Sequence, residues 1–130
     1  MFRRSFSNAP WETKVGYCRA VRAGHHVYVT GTAPVADDGG VFAPGDAAAQ
    51  TRRCCELIAR AIRELGADLS MVVRTRMFVT DISRWAEYGA AHREVFGAHP
   101  PATTMVEVKA LIDPGFLIEI EADAVVVDDR

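Results

Sequence analysis

The most regularly spaced chemistry-bearing residues stand near the end of the sequence. In the segment LIEIEADAV, Glu119, Glu121 and Asp123 alternate with Ile118, Ile120, Ala122 and Ala124. A period of two is that of a β-strand, so the carboxylates share one face and the apolar side chains the other. Two readings fit that pattern. Either the acids form a wet sheet face, or one of them borders a cleft where burial or a like-charged neighbour raises its pKa for acid or base work. Periodicity does not choose between them. A second signal is Thr30-Gly31-Thr32, a glycine at the end of a β-rich run, which marks a place where the backbone approaches something closely.

The standard catalytic signatures are absent: no GxSxG elbow, P-loop, HExxH or strand-following GxGxxG occurs. His25, His26, His92 and His99 lack metal-ligand spacing, and His92 falls on a core-facing helical stripe that suits a satisfied structural histidine. The three cysteines, Cys18, Cys54 and Cys55, form no CxxC pair and no even-numbered disulfide framework. Neither a metal nor a cofactor is expected. Arg52-Arg53 is read as a solvated pair on the polar side of a helix.

The elements that must position these residues follow from pattern and punctuation. Strands are predicted over Tyr17 to Ala23, His25 to Thr32, Met71 to Asp81, Thr103 to Ala110 and Phe116 to Val127, the last the longest. Ala33 to Gly45, rich in glycine, proline and aspartate, reads as a loop. A helix runs from an Asp46 cap to Gly66, with Cys54, Cys55, Ile58, Ile62 and Leu65 on one stripe. A second runs from Ser83 to Phe96, with Trp85, Tyr88, His92 and Val95 on one face. Strands separated by helices run parallel and strands separated by tight turns run antiparallel, so the sheet is mixed. Two helices cover only one face of such a sheet. On the strand after the first helix, Val72, Arg74, Arg76, Phe78 and Thr80 share one side and Val73, Thr75, Met77 and Val79 the other. Both sides carry apolar atoms, so a further subunit is expected over the uncovered face.

At 130 residues with 49% apolar and 25% charged side chains, the chain fits one α/β domain over residues 1–130. A net charge of -2 gives no general reason to bind nucleic acid or an anionic membrane. No run approaches the ~18 apolar residues of a membrane helix, and MFRRSFSNAPW lacks the apolar core of a signal peptide. A cytoplasmic setting is expected.

Three separated segments carry a resemblance. GYCRAVRAGHHVYVTGTAPV resembles the PYSQAVKAGNLVYVSGQIPL signature of the RidA/YjgF family. AQTRRCCELIARAIRELGADLSMVVRTRMFVTDISRW is similar to that family's central helix and strand. PATTMVEVKALIDPGFLIEIEADA is similar to its PARSTVEVxxLPxxxxVEIEAIA. The resemblance implies a chorismate-mutase-like fold, with two α-helices on one face of a mixed sheet, assembled as a homotrimer with ligand clefts between subunits. It also implies cofactor-independent hydrolysis of enamines and imines, because an imine carbon is already electrophilic and a positioned water suffices.

By the same resemblance, Tyr17 and Gly31 are the substrate-orienting positions and Glu119 the catalytic carboxylate that handles water. The arginine that forks a substrate carboxylate in the family falls on Thr103, and the small residue two further on falls on Met105. A threonine hydroxyl supplies one neutral donor and no charge, so the substrate's carboxylate is absent or bound elsewhere, with Arg19, Arg74 and Arg76 as the available cations. Three functions stay in play: a RidA-type deaminase with altered recognition, a non-catalytic trimer that binds a small metabolite, and the nuclease or translation-inhibitor role that the family has also been given.

Overall fold

The structure, a computed structural model, describes residues 1–127. Six strands form one sheet: β1 (Phe2–Ser5), β2 (Ala20–Ala23), β3 (His26–Thr32), β4 (Val72–Val79), β5 (Ala102–Glu107) and β6 (Ile118–Val125). Their spatial order is β1-β2-β3-β6-β4-β5. Only β4 and β5 pair in parallel; every other pair is antiparallel. The two crossovers, one across α2 (Ala47–Arg63) and one across α3 (Trp85–Phe96), both join strands of the same direction, which is the mixed sheet that the sequence predicts.

The boundaries differ at the ends. The first predicted strand shortens to Ala20–Ala23, and the third is trimmed to Val72–Val79 by 3-10 turns at Leu69–Met71 and Ile82–Arg84. The second helix starts at Trp85, and Trp85 itself stays exposed rather than joining the buried face. Strand β6 spans eight residues, as many as β4, so it is not the longest alone. Two elements go unpredicted: β1, and the short α1 (Pro10–Val15), whose proline start and left-handed Gly16 stop were the available signals.

Helix α2 begins where its cap is predicted, with the Asp46 carboxylate accepting from the Ala49 amide at 3.0 Å. Gly66 takes φ +86° just past its end, the left-handed conformation that stops a helix. The buried stripe of α2 packs Cys54, Ile58 and Ile62 onto Val27, Val29, Ile118, Ile120 and Ala122 of β3 and β6. Both cysteines of the pair are interior, and burial pushes the Cys55 thiol up to about 12, so neither is poised for thiolate chemistry.

One correction concerns the other side of that helix. Arg53 is not solvated; it is 7% exposed. Its guanidinium donates to the Val35 carbonyl at 2.8 Å, to Asp37 at 3.0 Å and to Glu56 at 2.5 Å, and it lies over the Phe42 ring at 5.4 Å. The loop over residues 33–45 folds onto α2 and covers the arginine. Helical periodicity sees only the helix and not what closes over it.

A second correction lies in β4. A register shift between Val72 and Arg74 turns Val72 into the core and leaves Val73 outside. Beyond the bulge the alternation is as read: Thr75, Met77 and Val79 face the helices, while Arg74, Arg76 and Phe78 face away. That second face has no helical layer among the described residues, and Tyr28 of β3 and Val106 of β5 are exposed on it.

The Arg53 clamp is measurable. Arg53→Ala removes a charged hydrogen bond to a part-buried carbonyl and the guanidinium packing on Phe42, while Asp37 and Glu56 simply return to water. A loss of about 1.5–3 kcal/mol in chemical denaturation is expected, against no resolvable loss for Arg52→Ala, whose partner Glu94 is surface-exposed. Equal effects at the two positions would show that the loop is not held this way.

Candidate active site

Glu119 is where the open sheet face becomes chemically distinctive. On β6 the helix-facing residues Ile118, Ile120 and Ala122 are fully buried, so Glu119, Glu121 and Asp123 must all point to the other face. Their surroundings then diverge. Arg76 of β4 reaches Glu121 at 3.5 Å and Asp123 at 3.2 Å, so one guanidinium is shared between the two acids. Glu119 makes no hydrogen bond or ion pair among the described residues, yet it is more than half withdrawn from solvent. That burial raises its pKa; the nearby Arg19 charge pulls it back, and Glu121 pushes it further up.

The glycine predicted to mark a close approach does so. The β3 ladder shifts register between Val29 and Thr32, a bulge that brings Gly31 against the Glu119 carboxylate. A Cβ at Gly31 would stand 2.3 Å from Glu119 Oε2. The bulge is held by Arg19, whose Nη2 donates to the Gly31 carbonyl at 2.8 Å and to the Thr30 carbonyl at 3.1 Å. The Arg19 guanidinium in turn lies over the Tyr17 ring at 5.7 Å. Tyr17 also borders an open cleft of about 420 Å³ with Arg4, Phe6, Cys18 and Thr30. Successive contacts within one chain therefore link Tyr17 to Arg19, Arg19 to Gly31 and Gly31 to Glu119, while the cleft that Tyr17 borders is lined by neither Gly31 nor Glu119.

The chain does not gather Thr103 and Met105 with them. In the parallel β4–β5 ladder Thr103 is level with Thr75 and Met105 with Met77, so both stand on the helix side of the edge strand. Glu119 is level with Phe78 on the opposite side. The Thr103 hydroxyl bonds to that of Thr75 at 2.5 Å, and Thr75 bonds to Nε2 of the buried His92 at 2.9 Å, the structural role read for that histidine. Of the three arginines, Arg19 adjoins Glu119, Arg76 is matched by two acids, and Arg74 forms no ion pair among the described residues.

Gln50 is a positioning residue that sequence reasoning misses. Fully buried, it donates from Nε2 to the Gly115 carbonyl at 3.0 Å and accepts from the Leu117 amide at 2.8 Å. It thereby fixes the backbone two residues before Glu119. The available signal was a glutamine on the apolar stripe of α2. Among the described residues, no cluster of three or more histidine, cysteine, aspartate or glutamate side chains could hold a metal ion. No described helix is long and apolar enough to cross a membrane.

Known proteins resemble this chain over most of its length. The family model described as endoribonuclease L-PSP matches residues 6–126. The 3-aminoacrylate deaminase RutC of Acinetobacter baylyi is 37% identical over 111 residues, 83% of this chain and 85% of that protein. A Streptomyces coelicolor protein is 35% identical over 122 residues, 94% of this chain and 90% of its own. The crystal structure of a Mycobacterium tuberculosis member of the YjgF/YER057c/UK114 family matches with a TM-score of 0.88 at 49% identity, covering 97% of this chain and 100% of that one.

Two outcomes follow from the Gly31–Glu119 contact. In Gly31→Ala the new methyl displaces only the end of a flexible side chain, so a stability cost of about 1 kcal/mol or less is expected. The carboxylate, driven toward water, should titrate closer to an ordinary glutamate in carbon-detected NMR; an unchanged titration would mean that Gly31 does not set its environment. Glu119→Gln reports on the same burial. The folded state holds this carboxyl's pKa above its unfolded value, so its contribution is fully present below the ordinary glutamate range and is lost as pH rises through the folded pKa. The glutamine variant should melt above wild type at about pH 8 and level with it at about pH 4.

Proposed function

The chain belongs to the endoribonuclease L-PSP family, the RidA/YjgF group, and from that membership we propose that it is a cofactor-independent deaminase of enamine or imine substrates. The observation that carries this reading is Glu119: a carboxylate that forms no ion pair among the described residues, partly desolvated, and held beside a glycine bulge. A base with a raised pKa is better matched to removing a proton from water near neutrality than an ordinary glutamate is. An enamine first tautomerises to the imine, gaining a proton at carbon and losing one from nitrogen. Glu119 then takes a proton from water as its oxygen attacks the imine carbon, and the nitrogen gains a proton to give a carbinolamine. Collapse of that adduct breaks the C–N bond, releasing ammonia and a carbonyl product. Tyr17 and the Gly31 backbone orient the substrate, while Thr103 and Met105 shape the far wall.

The proposed site lies between subunits of a homotrimer. Glu119 and Thr103 stand on opposite sides of one sheet, so a site using both requires a second copy of the chain. The uncovered face, with Tyr28 and Val106 exposed, supplies the apolar surface that such an assembly buries. The nuclease reading lacks comparable support, since Arg76 on this face is neutralised by Glu121 and Asp123. The binding-only reading is favoured by one fact, the threonine at position 103, and activity decides it.

A 2-iminopropionate generated by an amino-acid oxidase and followed by semicarbazide trapping gives the assay. Without a guanidinium fork at position 103, a loss of about 2–4 kcal/mol of transition-state binding is expected, or roughly 30-fold to 1,000-fold in kcat/KM relative to an arginine-bearing family member. Thr103→Arg should recover part of it, and Thr103→Arg with Met105→Cys more. Turnover should fall as pH drops through the raised Glu119 pKa, and Glu119→Gln should abolish it while leaving binding intact. Wild-type rates equal to those of an arginine-bearing relative would place the carboxylate on another cation, with Arg19 the first to test. Turnover that survives Glu119→Gln would overturn the catalytic assignment. Light scattering giving a monomer mass at micromolar concentration would remove the shared-cleft geometry.

A further inference from the structure

Behind Thr103 stand two side chains with no place in the mechanism above. His92 Nε2 lies 2.9 Å from Thr75 Oγ1, Thr75 Oγ1 lies 2.5 Å from Thr103 Oγ1, and Thr103 Oγ1 lies 3.2 Å from the Thr75 carbonyl oxygen. Thr75 is fully buried and His92 is 8% exposed, whereas Thr103 stands exposed on the edge strand. Each contact joins two electronegative atoms, so each needs a proton between its partners.

Proton counting favours one direction for this chain. With the imidazole proton on Nε2, that nitrogen donates to Thr75, the Thr75 hydroxyl donates to Thr103, and the Thr103 hydroxyl donates to the Thr75 carbonyl. Three protons then serve three contacts. With the imidazole proton on Nδ1, the order reverses: Thr103 donates to Thr75, and Thr75 donates to Nε2. The Thr103 oxygen would then face the Thr75 carbonyl oxygen with no proton between them, an unfavourable opposition of lone pairs. Desolvation also keeps the imidazole neutral, as the chain requires.

We propose that His92, protonated on Nε2, directs a hydroxyl relay through Thr75 that presents Thr103 as a hydrogen-bond donor to an uncharged substrate oxygen. The Thr103 oxygen already accepts from Thr75, so the relay leaves its own proton to donate, and an incoming acceptor takes the place of the Thr75 carbonyl. A chain of neutral groups polarises that proton but brings no net charge. Among the described residues no lysine or arginine bonds to any member of the relay. An ester, amide or aldehyde oxygen meets these requirements, while a carboxylate would exchange its water for a single neutral donor. His92 and Thr75 are therefore positioning residues and Thr103 a specificity-determining one. That Thr103 meets a substrate at all rests on the hydrolase reading; the direction of the relay does not.

Two measurements on the full chain test this. Two-bond proton–nitrogen NMR of wild-type protein reads the His92 tautomer, with Nε2–H expected; Nδ1–H overturns the proposal whatever any variant does. Methyl pyruvate and pyruvate then serve as uncharged and charged probes, titrated against the Thr103 and Thr104 amide signals. Wild type should bind methyl pyruvate several-fold more tightly than pyruvate. Thr75→Val should reduce that preference to about unity, and Thr75→Ser should restore it. His92→Gln, which keeps an N–H near the Nε2 position, should retain more of the preference than His92→Phe. Equal binding of the probes, tighter binding of pyruvate, no binding of either, or a preference that survives Thr75→Val overturns the proposal. The hydrolase reading fails separately: a relay with these properties in a protein that turns over neither charged nor uncharged imines would leave the relay standing and the reaction refuted.

Discussion

Strand β6 is hydrogen-bonded along both edges, to β3 on one side and to β4 on the other, and its pleat is the constraint on which the site depends. Its helix-facing residues, Ile118, Ile120, Ala122 and Ala124, have essentially no exposed surface. They cannot be turned without emptying the core, because a one-residue slip would exchange every side chain between the faces. The three acids are thereby committed to the other side. What each then does is decided by its neighbours. Arg76 sits within reach of Glu121 and Asp123, and the bulge of β3 leaves room for a carboxylate at Gly31. The same alternation thus yields two acids that share one guanidinium and one that is perturbed. The difference comes from the strands on either side, not from β6 itself.

The supports of the site are largely backbone. Arg19 holds the carbonyls of the bulge, Gln50 holds the backbone just before Glu119, and Arg53 holds the loop that follows β3. In each case a long polar side chain pairs with main-chain groups that have no partner in the sheet ladder, as buried polar groups require. These contacts connect α2 to both ends of the site, since Gln50 and Arg53 stand one turn apart on that helix.

Much of this was legible in the sequence. The alternation of β6, the Asp46 cap, the Gly66 stop and the loop over residues 33–45 rest on local rules, and local rules were enough for them. The interior place of His92 and the approach at Gly31 were also readable, because each departs from its surroundings in one recognisable way. What escaped was set by contacts distant in sequence. Arg53 looks solvated until a loop covers it, and the bulge that turns Val72 inward has no residue signature. The placement of Thr103 opposite the Glu119 face depends on parallel register with β4, which no pattern within β5 records.

The strand order has a consequence for how the chain acquires its structure. Among the described strands β6 is the last to be made, yet it belongs in the middle of the sheet, between β3 and β4, which were synthesised long before it. Until it arrives, the sheet consists of two separate halves. Each half has an open inner edge and an apolar face that α2 can only partly cover. Completion therefore requires closing long loops before most of the stabilising contacts exist, the condition for slow, high-contact-order folding. A nascent chain stalled before residue 118 would present two unsatisfied edges at once, the form most prone to pairing with its neighbours and most dependent on a holding chaperone.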